Sequence, residues 1–317
     1  MRGTAGPDFW HQPDMPVAMS QTVPQDLFAP LQLGALRLQH RIVLNSPQAL
    51  WQGATANVGE TPAQSLEGGL VVYAVADAHC AEDLNRITHG IASATEVNGW
   101  LRATQAVHDR GGMVVARIGG CRVPSGIALN ADQVDSALDA YRSAAENAFD
   151  AGFDGVELAA TVGTLPDQLY RQWADVPGAA PAALTECPAA TEFLCDALRT
   201  LLAAWPPDRV GACMTLPKTA AELHRQQALL PPVAAGKLAY LHLHSAGSGH
   251  ATYCKPFTAS VRLHYRGPLI VTGVWTAELA ATAIRSGRVD AVGIHGDRLQ
   301  QAGEFATAWR AQLGANE

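Results

Sequence analysis

The chain has no paired cysteines, no basic cluster and no long apolar run, and each absence removes a class of function. Its six cysteines, Cys80, Cys121, Cys187, Cys195, Cys213 and Cys254, are scattered without a C-x-x-C pair. That pattern fits reduced thiols in a cytoplasm better than a disulfide frame. A net charge of −7 with no basic stretch gives nucleic acid and anionic membranes nothing to bind. No apolar run reaches the length of a signal sequence or a membrane span. Walker-type loops and dinucleotide fingerprints are missing, and Gly247-Ser248-Gly249 is not a nucleophile elbow. The expectation is an acidic, soluble, cytoplasmic protein whose partner is a small molecule, with homo-oligomerisation left open.

What is present is a regular alternation of short apolar runs and helical stripes. The 317 residues, 48% of them apolar, are enough for one large core. Ala148 to Leu169 shows the unit most clearly: a helix from Ala131 stops at Gly152, and Phe153 to Leu158 is the kind of run that a parallel sheet buries on both faces. Further strands are expected at 41–44, 69–75, 113–118, 210–215, 238–244, 269–272 and 291–294. Helices are expected at 61–67, 95–110 with Thr95 as cap, 191–205, 220–230 ending at Pro231-Pro232, 277–286 and 301–312. Leu27 to Leu38 alternates around Gly34 as a hairpin closing a barrel bottom would. The fold expected is therefore a single (β/α)₈ barrel with an N-terminal β-hairpin over residues 26–317. The Pro-bearing stretch 1–25 is expected to be a flexible extension. Ala76 to Ala94 and Arg171 to Ala190 are expected to be mobile covers over the C-terminal strand ends, where such barrels place their active sites.

Three segments carry a family likeness in the same order: 26–44, opening Asp26-Leu-Phe-Ala-Pro-Leu; Gly99-Trp100 with Val107-His108; and Gly267-Pro-Leu-Ile270. Together they resemble the old yellow enzymes, flavin-dependent ene reductases, over most of the chain from Asp26 to about Arg298. The resemblance implies a (β/α)₈ fold, bound FMN and reduction of activated alkenes. It also implies positions for the chemistry, and most of these are changed. The family's carbonyl-holding His and Asn are matched by Ala159 and Val162, and its proton-donating Tyr by Thr164. Its flavin-facing Gln is matched by Arg117, its fifth-strand Arg by Cys213, and its Ala-Pro by Asn45-Ser46. A phosphate-binding Gly is matched by Val274, and the Gly-Arg after the last strand falls near His295-Gly296.

Placed on that framework, Arg117 faces the pocket mouth. An inward cation must find an anion, so it either pairs with Glu157 on the neighbouring strand or binds a ligand, and the two roles are compatible. His242 and His244, two apart on one strand, face the same side and offer catalytic imidazoles or, with other ligands, a metal site. No metal is expected. His295 and Asp297, with His79, His250 and Tyr253, add titratable groups at that face. Cys213 reads as a packing thiol at a strand end. Asn45, Tyr73, Ala159, Val162, Thr164, Cys213 and Trp275 are the expected substrate-lining residues, around a catalytic set of Arg117, Glu157, His242, His244 and His295. The resulting expectation is a cofactor-independent enzyme that cyclises, isomerises or epimerises a hydrophobic substrate. An FMN-dependent ene reductase and a non-catalytic binding barrel are the alternatives.

Overall fold

A computed structural model describes residues 25–45, 67–76, 89–119, 130–174, 188–217, 220–244, 255–295 and the helical positions 303, 305 and 307. Two short antiparallel strands, β1 (Leu31–Leu33) and β2 (Leu36–Leu38), are followed by β3 (Ile42–Asn45), β4 (Leu70–Ala76), the two-residue β5 (His89–Gly90) and β6 (Met113–Ile118). Then come β7 (Gly155–Ala160), β8 (Val210–Thr215), β9 (Tyr240–His244), β10 (Leu269–Thr272) and β11 (Ala291–His295). Strands β3, β4 and β6 to β11 pair in parallel with their neighbours, and β11 pairs back onto β3. The ring is closed, so the fold is the eight-stranded barrel expected from the alternation.

Helices α1 (Ala94–His108), α2 (Ala131–Asp150), α3 (Leu165–Ala174), α4 (Pro188–Ala204), α5 (Ala220–Ala235), α6 (Lys255–His264) and α7 (Ala277–Arg285) follow the strands. Several boundaries differ from expectation. Ser93, not Thr95, caps α1, because Ser93 and Glu96 form a reciprocal capping box. Pro231 and Pro232 lie inside α5 rather than ending it; Leu229, Leu230 and Val233 are buried there, and that apolar contact offsets the lost backbone donors. Helices α3 and α6 were not expected. The proposed covers lie largely outside the described residues, but β5 and the start of α1 occupy the end of the first, while α3 and α4 flank the second. The expected helices at 61–67 and 301–312 and the extension at 1–25 likewise fall wholly or mostly outside. Among the described residues no helix is long and apolar enough to cross a membrane.

The core has two layers separated by the barrel wall. Leu33, Leu36 and Leu38 of the hairpin join Val43, Leu70, Val72, Val115, Tyr240 and Ile270 inside the barrel. Ile42, Val71, Tyr73, Val114, Val156, Leu158, Leu241 and Val292 face the helices. The period of two along each strand sorts the residues and fixes which side chains can reach the mouth. Gly34 seats the hairpin: its φ is +58°, and a Cβ there would lie 2.1 Å from the Asp208 carbonyl oxygen. The N-terminal end of the barrel is thereby plugged with leucine, and polar side chains are left to the other end.

Candidate active site

Five strands send polar side chains into the upper half of the barrel. Counting inward from Val43, Val115, Tyr240 and Ile270 places Asn45, Arg117, His242 and Thr272 on the inner face; Glu157 stands beside Arg117 in register. All five are buried, Arg117 at 6% exposed and the others at 0%. They form one connected group. Arg117 Nε donates to Glu157 Oε1, and its Nη2 donates to Asn45 Oδ1 at 2.6 Å. Glu157 Oε2 lies 2.9 Å from His242 Nδ1, and His242 Nε2 lies 2.6 Å from Thr272 Oγ1.

Small residues on the intervening strands make these spans fit. Arg117 crosses the level of Ala74 on β4 to reach Asn45 on β3, and Glu157 stands beside Gly211 on β8 while reaching His242 on β9. Gly211 also leaves room for the Tyr240 ring, which a Cβ would approach to 2.5 Å. His242 sits level with Ile270, so its ring extends diagonally to Thr272, two residues along the adjacent strand.

Electrostatics keeps the group charged at one end and neutral at the other. Burial raises the Glu157 carboxyl, but Arg117 and His242 outweigh it and hold the group well below the usual carboxylate range. Burial likewise opposes the Arg117 charge, and the acidic groups Cys213 and Glu157 outweigh that, leaving it above its ordinary value. Since burial pushes the Cys213 thiol itself far up, keeping it protonated, Glu157 carries the balance at neutral pH. His242 is lowered by burial, against the pull of Glu157. His244 is lowered further, by burial and then by the Arg117, His242 and His295 charges. Glu157, Cys213 and His242 bring three ligand-type atoms within 4.8 Å of one another. Arg117 already neutralises the one carboxylate among them, so the trio does not favour a metal cation.

Above the network Ala74, His244 and His295 are only partly buried, and the His244 and His295 rings stack edge to face with centroids 4.9 Å apart. The five expected catalytic residues are therefore brought together in two tiers: Arg117, Glu157 and His242 below, His244 and His295 above. Of the expected lining residues, Asn45, Ala159 and Cys213 share the inner face. Tyr73 does not: it points outward onto Trp100, with ring centroids 5.3 Å apart. Trp275 is buried in the outer core and donates from Nε1 to the Val271 carbonyl. Thr164 gives its hydroxyl to the Thr161 carbonyl in the turn before α3, and the Val162 amide donates to Thr215 Oγ1. Val162 lines a recess against α3 and α5, with Tyr170, Gln226 and Leu229, rather than the barrel interior. The expected loop residues His79, His250, Tyr253 and Asp297 lie outside the described residues. Thr272 and the permissive Gly211 were missed, since nothing in Leu-Ile-Val-Thr or Val-Gly-Ala-Cys marks which face is inward.

No family model matches the chain. Curated proteins do: it is 26% identical over 185 residues to flavin oxidoreductase hxnT of Emericella nidulans, 45% of this chain and 48% of that one. It is 24% identical to 12-oxophytodienoate reductase 7 of Oryza sativa subsp. japonica, over 84% of this chain and 83% of that protein. A third relative, 30% identical over 46% of this chain and 47% of its own, is the probable inactive reductase easA of Epichloe festucae var. lolii. The fold superposes on morphinone reductase with a TM-score of 0.67 at 22% identity, covering 87% of each chain. The chain resembles the old yellow enzymes in sequence and in fold. It spans about half the length of hxnT and easA. In this old yellow enzyme-like barrel the strand ends hold a buried cation, carboxylate and imidazole where the resemblance implies flavin-contacting Gln and Arg.

Proposed function

We propose that this protein is a flavin-independent enzyme that isomerises, epimerises or cyclises a hydrophobic, oxygen-bearing small molecule by proton transfer. The observation that carries this reading is the group Asn45–Arg117–Glu157–His242 below a partly exposed, neutral His244. Arg117 is a fixed cation and Asn45 a fixed amide. Because a guanidinium only donates, Asn45 must turn Oδ1 towards it, and Nδ2 is then a buried donor with no partner among the described residues. Donors of this kind in a dry site are suited to a carbonyl oxygen that gains negative charge. His244 has no side-chain hydrogen bond among the described residues and is kept in its basic form. It can take a proton from the carbon beside that carbonyl and return it at another position. The resulting enolate is held by Arg117, and no electrons enter or leave.

FMN is the cofactor the family implies, and the described residues do not fit it as the family holds it. Arg117 is a cation where the resemblance implies a flavin-facing glutamine, Cys213 is a protonated thiol where a cation is implied, and Val274 puts a β-branched side chain into a turn implied to need glycine. No step is therefore routed through flavin. The second reading, an FMN-dependent ene reductase, is favoured by the names of the relatives, which are flavin oxidoreductases and 12-oxophytodienoate reductases. The relative named a probable inactive reductase is a precedent for loss of that chemistry. The two readings separate on whether flavin-free protein exchanges carbon-bound hydrogen of ketones and enones with solvent. The proposed function requires exchange, and its absence alongside FMN-dependent reduction overturns it.

A further inference from the structure

The contacts of His242 contain a choice that decides whether Glu157 keeps an imidazole donor. His242 Nδ1 lies 2.9 Å from Glu157 Oε2 and 3.2 Å from Arg117 Nη2. The first atom can only accept and the second can only donate, so Nδ1 satisfies one of them and not both. If Nδ1 accepts from Arg117, Nε2 carries the proton and gives it to Thr272, and Glu157 Oε2 loses the imidazole donor, leaving the Cys213 thiol and Tyr240 hydroxyl as the other donor groups beside the carboxylate. If Nδ1 carries the proton, Glu157 receives one donor on each oxygen, Arg117 Nε on Oε1 and His242 on Oε2. Nε2 is then a bare acceptor in a fully buried ring and needs an O–H, which Thr272 Oγ1 at 2.6 Å supplies. A buried carboxylate without its imidazole donor is the costlier loss, which favours the second arrangement.

We propose that Thr272 is a positioning residue: by donating to Nε2 it stabilises His242 as the Nδ1–H tautomer, and so keeps an imidazole donor on the Glu157 carboxylate that holds Arg117 in place. This rests on the assignment of Arg117 as the oxygen anchor. Asn45 takes one Nη2 proton, and Glu157 takes Nε–H. In the opposite tautomer His242 would accept from Nη2 instead, and the carboxylate that anchors Arg117 would lose the imidazole donor on Oε2. The neighbouring strand is shaped for the hydroxyl. A Cβ on Gly293 would stand 1.8 Å from Thr272 Oγ1, so only a glycine there lets the threonine keep this rotamer without displacement.

The test is nitrogen NMR of protein labelled with ¹⁵N-histidine, with His242 assigned by the signal lost in His242→Gln. The expected result is a protonated Nδ1 and an unprotonated, hydrogen-bonded Nε2. Thr272→Val should move the Nε2 resonance downfield towards that of a free imidazole nitrogen, and Thr272→Ser should restore it. A change in packing alone would not follow the hydroxyl in this way. A wild-type His242 protonated at Nε2 overturns the proposal, as does an Nε2 resonance that Thr272→Val leaves unmoved. Neither measurement needs substrate. A wrong tautomer with intact hydrogen exchange rejects the role of Thr272 alone, whereas the right tautomer without exchange rejects the proposed function.

Discussion

Replacing Arg117 with Met should destabilise the barrel far more than replacing both Arg117 and Glu157. The Glu157 side chain is fully buried and that of Arg117 is 7% exposed. Arg117→Met therefore leaves an ionised carboxylate away from water with His242 as its remaining donor. Removing one partner of a buried pair costs about 3–5 kcal/mol, at least about a fifth of a stability of roughly 5–15 kcal/mol. Glu157→Leu strands the guanidinium and should cost about the same by the same principle. The double variant removes both charges, and apolar groups of similar volume in place of a buried pair are often nearly neutral. A coupling of about 3 kcal/mol or more is therefore expected between the two sites. Urea denaturation followed by circular dichroism, on wild type and the three variants at neutral pH, measures the cycle. Single variants that each lose less than about 1 kcal/mol, or a double variant whose loss equals their sum, would refute the buried-pair argument.

Acidification should weaken the fold before the carboxylate is reached. Burial lowers the folded-state pKa of His242 and His244, so the unfolded chain takes up protons first as pH falls through about 6.5. Their contribution is fully present above that pH and declines below it, at about 1.4 kcal/mol per pH unit for each imidazole. Glu157, held below the ordinary carboxylate range, keeps its contribution in full down to the unfolded-state value of about 4.3 and loses it progressively below. The midpoint of denaturation against pH should thus slope between about pH 6.5 and 5, with a shallower slope for His242→Gln, and a flat profile contradicts the assignment. Gly34→Ala should cost about 1–3 kcal/mol from its positive φ and the blocked approach to Asp208. An unchanged melting temperature would show that the hairpin does not seat there.

The barrel was readable because its signals are local. Glycine after α2 and short apolar runs of strand length each act within a few residues, so the strands were placed closely, whereas the α1 cap was misplaced and helices α3 and α6 were missed. The facing of individual strand residues was harder to read, for a physical reason. A strand buried on both faces carries no alternation, so nothing in Leu-Val-Val-Tyr-Ala-Val states that Tyr73 points outward to Trp100. The Arg117–Glu157 contact could be anticipated because both residues are charged and an inward cation needs an anion. Thr272 could not, because its role depends on a diagonal reach from His242 that register alone creates. Val162 and Thr164 were placed by resemblance, but the turn into α3 uses them for its own hydrogen bonds.

The most direct measurement is solvent-deuterium incorporation by the flavin-free protein. A panel of hydrophobic ketones and enones in D₂O, read by mass spectrometry, reports proton transfer whether or not the natural substrate is known. The expected result is deuterium at the carbon beside the carbonyl of at least one compound, unchanged by added FMN. Loss of Arg117 as oxyanion donor should slow it by about 10²–10³-fold per folded molecule, and His244→Gln should abolish the catalysed part. Exchange that survives both substitutions, or alkene reduction that appears only when FMN and a nicotinamide reductant are supplied, would contradict the account.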